Sequence, residues 1–322
     1  MKRQKMMRII DEVRDAKSIA ISGHAKPDGD CVGSVMGLYL YMKKELPDVR
    51  IDVYLDKPAD IFNCISCIED IKSEFNTDET YDVFIALDTV PDRLGGSEPI
   101  FHRARKKINI DHHISNPGGG DVNVIEPERS STAELLYELM NPEMIDAEVA
   151  KAIYIGIIHD TGVLRYSNTS PRTLQITAEL VKLGFDFSQI IEETFFEKTY
   201  LQTQIMGRAV LESMRILNNR CIVSVVNRRM MEFYQVTSKD LDGIINQLQS
   251  VKGVDCSIFM YETGTLEYKV SMRSNGKVDV SAVAVKFGGG GHVRAAGCTM
   301  NGTYHDIINN LSAEISEQLE DK

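Results

Sequence analysis

Through the first half of the chain, short apolar runs alternate with helix-compatible or turn-rich stretches. The runs are "SIAIS", "IDVYL", "YDVFIALDT", "KINIDHH" and "VNVIE", and the helix-like "GSVMGLYLYMKKEL" follows the first of them. Each element must bury an apolar side. This alternation therefore predicts an α/β domain with a largely parallel sheet. Two helix starts are also legible. Ser131 to Glu134 read as an S-x-x-E capping box ahead of "AELLYELM", and Ser170-Pro171 as an N-cap followed by proline at the first helical position.

From about Phe185 the pattern turns helical and charged, then β-like again at "RCIVSVV", "CSIFMYE" and "EYKVSMRS". With 322 residues there is chain enough for two cores. The expected organisation is a catalytic domain over 1–185, a helical linker over 186–218 and a smaller α+β domain over 219–322. The glycine run "FGGGGH" is expected to lead into a helix start at Arg294-Ala295-Ala296, and a last amphipathic helix ends the chain.

Composition excludes several functional classes. No apolar run is long enough to span a bilayer, and the start, "MKRQKMMRIIDEVRDAK", lacks the apolar centre of a signal peptide, so a cytoplasmic protein away from membranes is expected. A net charge of −11 argues against a binder of duplex nucleic acid, which needs a broad basic face. Of the 6 cysteines only Cys64 and Cys67 form a CxxC. With no second pair at zinc-site spacing, they read first as incidental thiols in a reducing compartment, with a structural zinc or redox pair as the weaker alternative.

The ionisable residues cluster where the apolar runs end. His24, Asp28 and Asp30 follow the first run, Asp88 ends "VFIALD", and Asp111-His112-His113 end "INIDHH". Asp160 ends the apolar helix pattern "AKAIYIGIIHD". Singly, such residues are turn formers or helix caps. Together in one crevice at the carboxyl ends of parallel strands, they would repel one another unless a cation were present. Oxygen and imidazole donors without thiolate favour Mn²⁺ or Mg²⁺. The number of carboxylates suits two ions, an arrangement used to hydrolyse phosphate esters.

In order, "HAKPDGD-CVGS", "ALDT", "IDHHISN" and "HDTGVLRYSNTSPRT" resemble the motifs of the DHH phosphoesterase superfamily, and "SMRS" with "FGGGGHVRAAG" resembles its DHH-associated C-terminal domain. The resemblance covers nearly the whole chain and points to the nanoRNase and 3′,5′-bisphosphate nucleotidase (RecJ-like) branch. It implies two Mn²⁺ ions in a cleft between two domains, with Mg²⁺ as the substitute. One ion would be held by His24, Asp28 and a bridging Asp88, the other by Asp30, Asp88, His112 and Asp160. Asp111 would orient His113, the catalytic helper beside the scissile phosphate. Arg273, Gly289, Gly290, Gly291 and His292 would grip the nucleotide.

The implied substrates are short oligoribonucleotides and adenosine 3′,5′-bisphosphate, with cyclic di-AMP or its linear product as the alternative. A nucleotide-binding regulatory protein on the same fold is the reading from another class, and an exopolyphosphatase is a third. The sequence leaves the oligomeric state open, a homodimer included. Two departures from the family pattern stand out, Leu164 in place of an aromatic residue and Cys31 in place of a small one. Neither is expected to touch a ligand.

Overall fold

The protein is described by a computed structural model over residues 8–320. The first seven residues of the charged start and the last two of the chain lie outside the described residues. Two compact units divide between Glu197 and Lys198. That division falls inside the segment read as a linker, which forms helices Phe187–Ile191 and Tyr200–Leu211 with a π-helical turn, Glu192–Phe196, following the first. No helix among the described residues is long and apolar enough to cross a membrane.

The first unit is built on a 6-stranded sheet: β1 (Ser18–Ser22), β2 (Arg50–Tyr54), β3 (Ile71–Lys72), β4 (Val83–Leu87), β5 (Lys106–Asp111) and β6 (Val122–Ile125). The order is β3-β2-β1-β4-β5-β6 and every neighbouring pair is parallel. Parallel strands are covered on both faces, which is why β4 reads "VFIAL" without a polar break and is buried throughout. The chain leaves β1 for β2 on one side and returns to β4 on the other. The carboxyl ends of β1 and β4 therefore border the crevice where such sheets bind ligands.

Two helices fix that crevice. Gly29–Glu45 is buried continuously from Gly29 to Met42, so over that length it shows no exposed stripe. It crosses the helix Ala147–Asp160 at Gly33 and Gly156. A Cβ on Gly33 would stand 2.6 Å from the Ala152 carbonyl oxygen, so the crossing needs glycine. Close approach brings the start of one helix to the end of the other, and with them Asp30 and Asp160.

The capping readings come out unevenly. Ser170 caps the helix Pro171–Val181 as expected, with Thr173 closing a reciprocal box. At Thr132–Leu139 the Ser131 hydroxyl accepts from Glu134 N at 3.0 Å, but the returning half of the box is absent. The Glu134 carboxylate instead accepts from the hydroxyls of Ser130 at 2.5 Å and Thr173 at 2.7 Å, a side-chain network the sequence spacing does not reveal.

The second unit carries its own 6-stranded sheet, β11-β12-β10-β9-β8-β7. Its strands are β7 (Met214–Ile216), β8 (Cys221–Val226), β9 (Cys256–Gly264), β10 (Glu267–Ser274), β11 (Gly290–His292) and β12 (Ala295–Asn301). Only β8 and β9 pair in parallel. Val270, Met272 and Cys298 face a core closed by helices Val280–Lys286 and Tyr304–Glu320. The expected helix start at Arg294-Ala295-Ala296 is wrong. Ala295 and Ala296 open β12, and the glycine run folds back on it as β11, with Gly290 opposite Gly297 and His292 opposite Ala295. At Gly289 a Cβ would lie 2.1 Å from the Gly297 carbonyl oxygen, so the glycines serve close strand approach.

Candidate metal centre

Six of the side chains singled out from the sequence meet in the first unit. His24 leaves β1 with Nδ1 3.0 Å from the Ala25 carbonyl oxygen, which turns Nε2 toward Asp28 and Asp88, each 3.6 Å away. Asp28 also caps the Gly29–Glu45 helix, accepting from the backbone N–H groups of Asp30 and Cys31 at 3.1 Å. Asp88 sits just beyond β4 in the left-handed region at φ +57°, a strained position that Asp tolerates better than bulkier residues.

Asp30 is buried, and its two oxygens accept from Thr132 N at 2.7 Å and Ala133 N at 3.0 Å. It thus occupies the N-terminus of the Thr132–Leu139 helix, where an anion is favoured. The Thr132 hydroxyl donates to Asp88 at 3.0 Å, so one helix start holds two of the carboxylates. His112 directs Nδ1 to the Arg129 carbonyl oxygen at 3.3 Å. Its Nε2 faces Asp30, Asp88 and Asp160 at 3.9, 3.7 and 3.6 Å.

This donor set fits a metal. With Nδ1–H spent on a backbone carbonyl, the Nε2 lone pair of His112 faces only carboxylate oxygens, so acceptors meet acceptors. The separations of 3.6 to 3.9 Å exceed an ordinary hydrogen bond. They are a few tenths of an ångström wider than the roughly 3.0 to 3.4 Å between two donors that each stand about 2.1 Å from one ion. Ligand-type atoms of Asp30, His112 and Asp160 lie within 4.8 Å of one another, as do those of Asp88, His112 and His113 and those of His24, Cys31 and Asp88.

Protonation reports the same crowding. Burial, then the neighbouring Asp88 and Asp160 charges, pushes Asp30 well above the usual carboxylate range. Partial burial, reinforced by Asp88 and Asp28 and opposed by His112, pushes Asp160 up to about 6. Burial would lower His24, but the Asp28 and Asp88 carboxylates outweigh it and hold its imidazolium above the usual histidine range. A proton here does the work of a cation.

Asp111 and His113 stand beside this cluster. His113 Nδ1 is 2.7 Å from Asp111 Oδ1, and that bond, against burial, raises the histidine pKa. Burial pushes Asp111 up, but the bonds from His113 and Asn116 prevail and leave it below the usual range. Asn116, the last residue of "IDHHISN", has no role legible in the sequence. Its Nδ2 donates to Asp111 at 2.5 Å and lies 3.0 Å from both Thr89 O and Asn109 Oδ1. Asn116→Leu should leave Asp111 Oδ2 and Asn109 Oδ1 without their donor, while Asp111 Oδ1 keeps its bonds from His113. A loss of about tenfold to hundredfold in kcat is expected, measured beside metal affinity by titration.

One expectation for this region fails. Cys31 does touch the site: its thiol is buried, and its sulfur lies within 4.8 Å of ligand-type atoms of His24 and Asp88. Burial pushes that thiol up to about 12. The helical phase explains the contact, since the first turn after Asp28 points back under the end of β1. Leu164 donates its N–H to Thr161 Oγ1 at 3.0 Å and packs, partly buried, against the core of the first unit. Cys64 and Cys67 are free, half-buried thiols.

In the second unit, Arg273 and His292 both lie opposite Ala295, which puts them on one face of the sheet two strands apart. At about 4.8 Å per strand their backbones stand about 10 Å apart. On that face Ala295 lies between them, with Ser271, Gly297 and Gly290 in the neighbouring row, and Arg273 Nη1 donates to Met272 O at 3.1 Å. The helix N-terminus expected behind the glycine run is absent, so any anion held here meets a flat strand edge and side chains.

Comparison with known proteins places the chain. The family model described as "DHH family, N-terminal domain" matches residues 18–157, and the DHHA1 domain matches residues 218–321. A relative from Thermus thermophilus, named bifunctional oligoribonuclease and PAP phosphatase NrnA, is 31% identical over 304 residues, covering 92% of this chain and 89% of that one. The chain belongs to the DHH family. It is therefore a hydrolase acting on phosphoester bonds. A Bacillus subtilis relative of the same name is 24% identical over 88% of this chain and 89% of its own. An exopolyphosphatase-related protein from Bacteroides fragilis shares the fold at TM-score 0.88 and 26% identity, over 95% of this chain and 94% of that one.

Proposed function

We propose that this DHH protein is a two-Mn²⁺ phosphoesterase that hydrolyses short oligoribonucleotides and nucleoside 3′,5′-bisphosphates. The observation that carries the reading is the meeting of His24, Asp28, Asp30, Asp88, His112 and Asp160, in which two histidine Nε2 atoms each face carboxylate oxygens at 3.6 to 3.9 Å. The activities named for the Thermus and Bacillus relatives agree with it. Net charge −11 also suits short substrates held locally better than long nucleic acid.

In this reading His24, Asp28 and Asp88 hold one ion, and Asp30, Asp88, His112 and Asp160 the other. Bound there, the ions supply neutralisation of phosphate charge and acidification of water. The chain's own contribution is positional. Thr132 and Ala133 fix the oxygens of Asp30, and the Arg129 carbonyl fixes the tautomer of His112. Asp111 holds His113 protonated at Nδ1, so its ring can donate toward a phosphate oxygen and carry a proton to the leaving group. Arg273 and His292 take the nucleotide end of the substrate.

Purified protein with Mn²⁺ should turn over a diribonucleotide and adenosine 3′,5′-bisphosphate, and faster than a cyclic dinucleotide. EDTA should silence both activities and Mn²⁺ restore them. Turnover that survives exhaustive chelation and dialysis would sink the metal mechanism, and no turnover with Mn²⁺ would favour the regulatory reading. For the second unit, Arg273→Ala removes a charge-assisted contact. The ratio of kcat/KM on a diribonucleotide to that on a small aryl phosphodiester should fall about tenfold to hundredfold. An unchanged ratio would take Arg273 out of nucleotide recognition.

A further inference from the structure

A cavity of about 620 Å³ in the first unit is lined by His24, Asp28, Asp88, Asp111 and His113, and one further residue of its lining carries a permanent positive charge. That residue is Arg93. It ends a tight turn, Pro91–Arg93, whose proline presets the backbone. The Arg93 carbonyl accepts from Ala25 N at 2.9 Å, which ties the turn to the residue beside His24. Asp88, Asp92 and Asp111 line the same cavity. Among the described residues none of them forms an ion pair with the Arg93 guanidinium, and the residue is exposed.

An arginine left unpaired beside several carboxylates has its donors available for a ligand. The ions of the proposed centre neutralise the phosphate that reacts, and the carboxylates around them are then engaged. A second phosphate entering the cavity would meet the carboxylates of Asp28, Asp88, Asp92 and Asp111, and Arg93 is the lining residue with a permanent charge to set against them. A guanidinium offers it a planar fork of N–H donors that matches two phosphate oxygens.

We infer that Arg93 forms a subsite for a second phosphate group of the substrate, the one that is not hydrolysed. The inference rests on the phosphoesterase reading above and narrows its substrate class to molecules with two phosphates a nucleoside apart. Arg93 is a specificity residue in this role, since it meets the substrate away from the reacting phosphorus. A bisphosphate nucleotide and the flanking phosphate of an oligonucleotide present the same chemistry there.

The test uses adenosine 3′,5′-bisphosphate and adenosine 3′-phosphate, which share one nucleoside and differ by one phosphate. Their dissociation constants would be measured by calorimetry on the full chain, with Ca²⁺ replacing Mn²⁺ so that neither is consumed. Wild type should bind the bisphosphate more tightly, and Arg93→Ala should reduce that preference about tenfold to hundredfold. Arg93→Lys should keep part of it, as a point charge without the fork. Equal weakening for both ligands would mean that Arg93 meets the reacting phosphate, and this would overturn the inference. So would a wild type without preference. Turnover of the bisphosphate in Mn²⁺, assayed separately, tests the phosphoesterase reading, so the two failures are told apart.

Discussion

Asp88→Asn is expected to abolish turnover while leaving the fold intact. Removing a single preorganised electrostatic group from an active site costs about 10²- to 10³-fold in kcat. A residue proposed to serve both ions should cost at least that much. Asparagine is the informative replacement because Asp88 sits at φ +57°, a region that Asn tolerates and Ala does not. It also keeps an oxygen for the Thr132 hydroxyl, now 3.0 Å from Asp88 Oδ1. Circular dichroism should match wild type, and the rise in melting temperature on adding Mn²⁺ should shrink as binding weakens. Activity near the wild-type rate, or an undiminished Mn²⁺ shift, would remove Asp88 from the centre.

The second large effect lies in the stability of the metal-free protein against pH. Asp30 and Asp160 have folded pKa values raised above their unfolded values, by burial first and like charge second. Such groups contribute stability that is complete below the unfolded pKa and is lost as pH rises through the folded one. His24 and His113, held protonated by neighbouring carboxylates, act in the same direction at higher pH. Asp111 acts oppositely, but its depressed pKa places its window in acid, below the range of interest. In EDTA the melting temperature should therefore fall as pH climbs through about 6, the value for Asp160. With Mn²⁺ the fall should be reversed, because the ion replaces the protons, and the gap between the two curves should widen with pH. Asp160→Asn should flatten the EDTA curve. A flat curve for the wild type would mean that these carboxylates do not crowd one another.

Much of the candidate site is legible in the chain because the rule behind it is local. A parallel strand buried on both faces must be apolar, so the first ionisable residue after it marks the strand's end. His24, Asp88 and Asp111 follow from that rule alone. Asp160 is readable for a related reason, as the acid that ends its helix just after the apolar run "AIYIGII". The residues that hold these in place are not readable. Thr132 looks like part of a helix start, and it is, but its N–H and hydroxyl serve Asp30 and Asp88 from 102 and 44 positions away. Glu134 satisfies the spacing of a capping box yet spends its carboxylate on Ser130 and Thr173. Spacing shows what a side chain can reach locally. It does not show a better partner brought close by packing.

The glycine run makes the same point in the second unit. From the chain alone, "GGGGH" before "RAA" is compatible with a phosphate loop at a helix start, since glycine permits both that and a strand. Pairing with β12 decides for the strand, because Gly289 has the Gly297 carbonyl oxygen where a Cβ would be. By itself the sequence determined the alternation of elements, the parallel sheet of the first unit and the identity of the charged residues at its strand ends. These depend on hydrophobic period and on residues adjacent in the chain. Tertiary structure alone decided which carboxylates face one another, that Cys31 lies against His24, and that Arg93 stands unpaired over the same cavity. Those contacts join segments far apart in sequence, and only the packing of helices on the sheet brings them within reach.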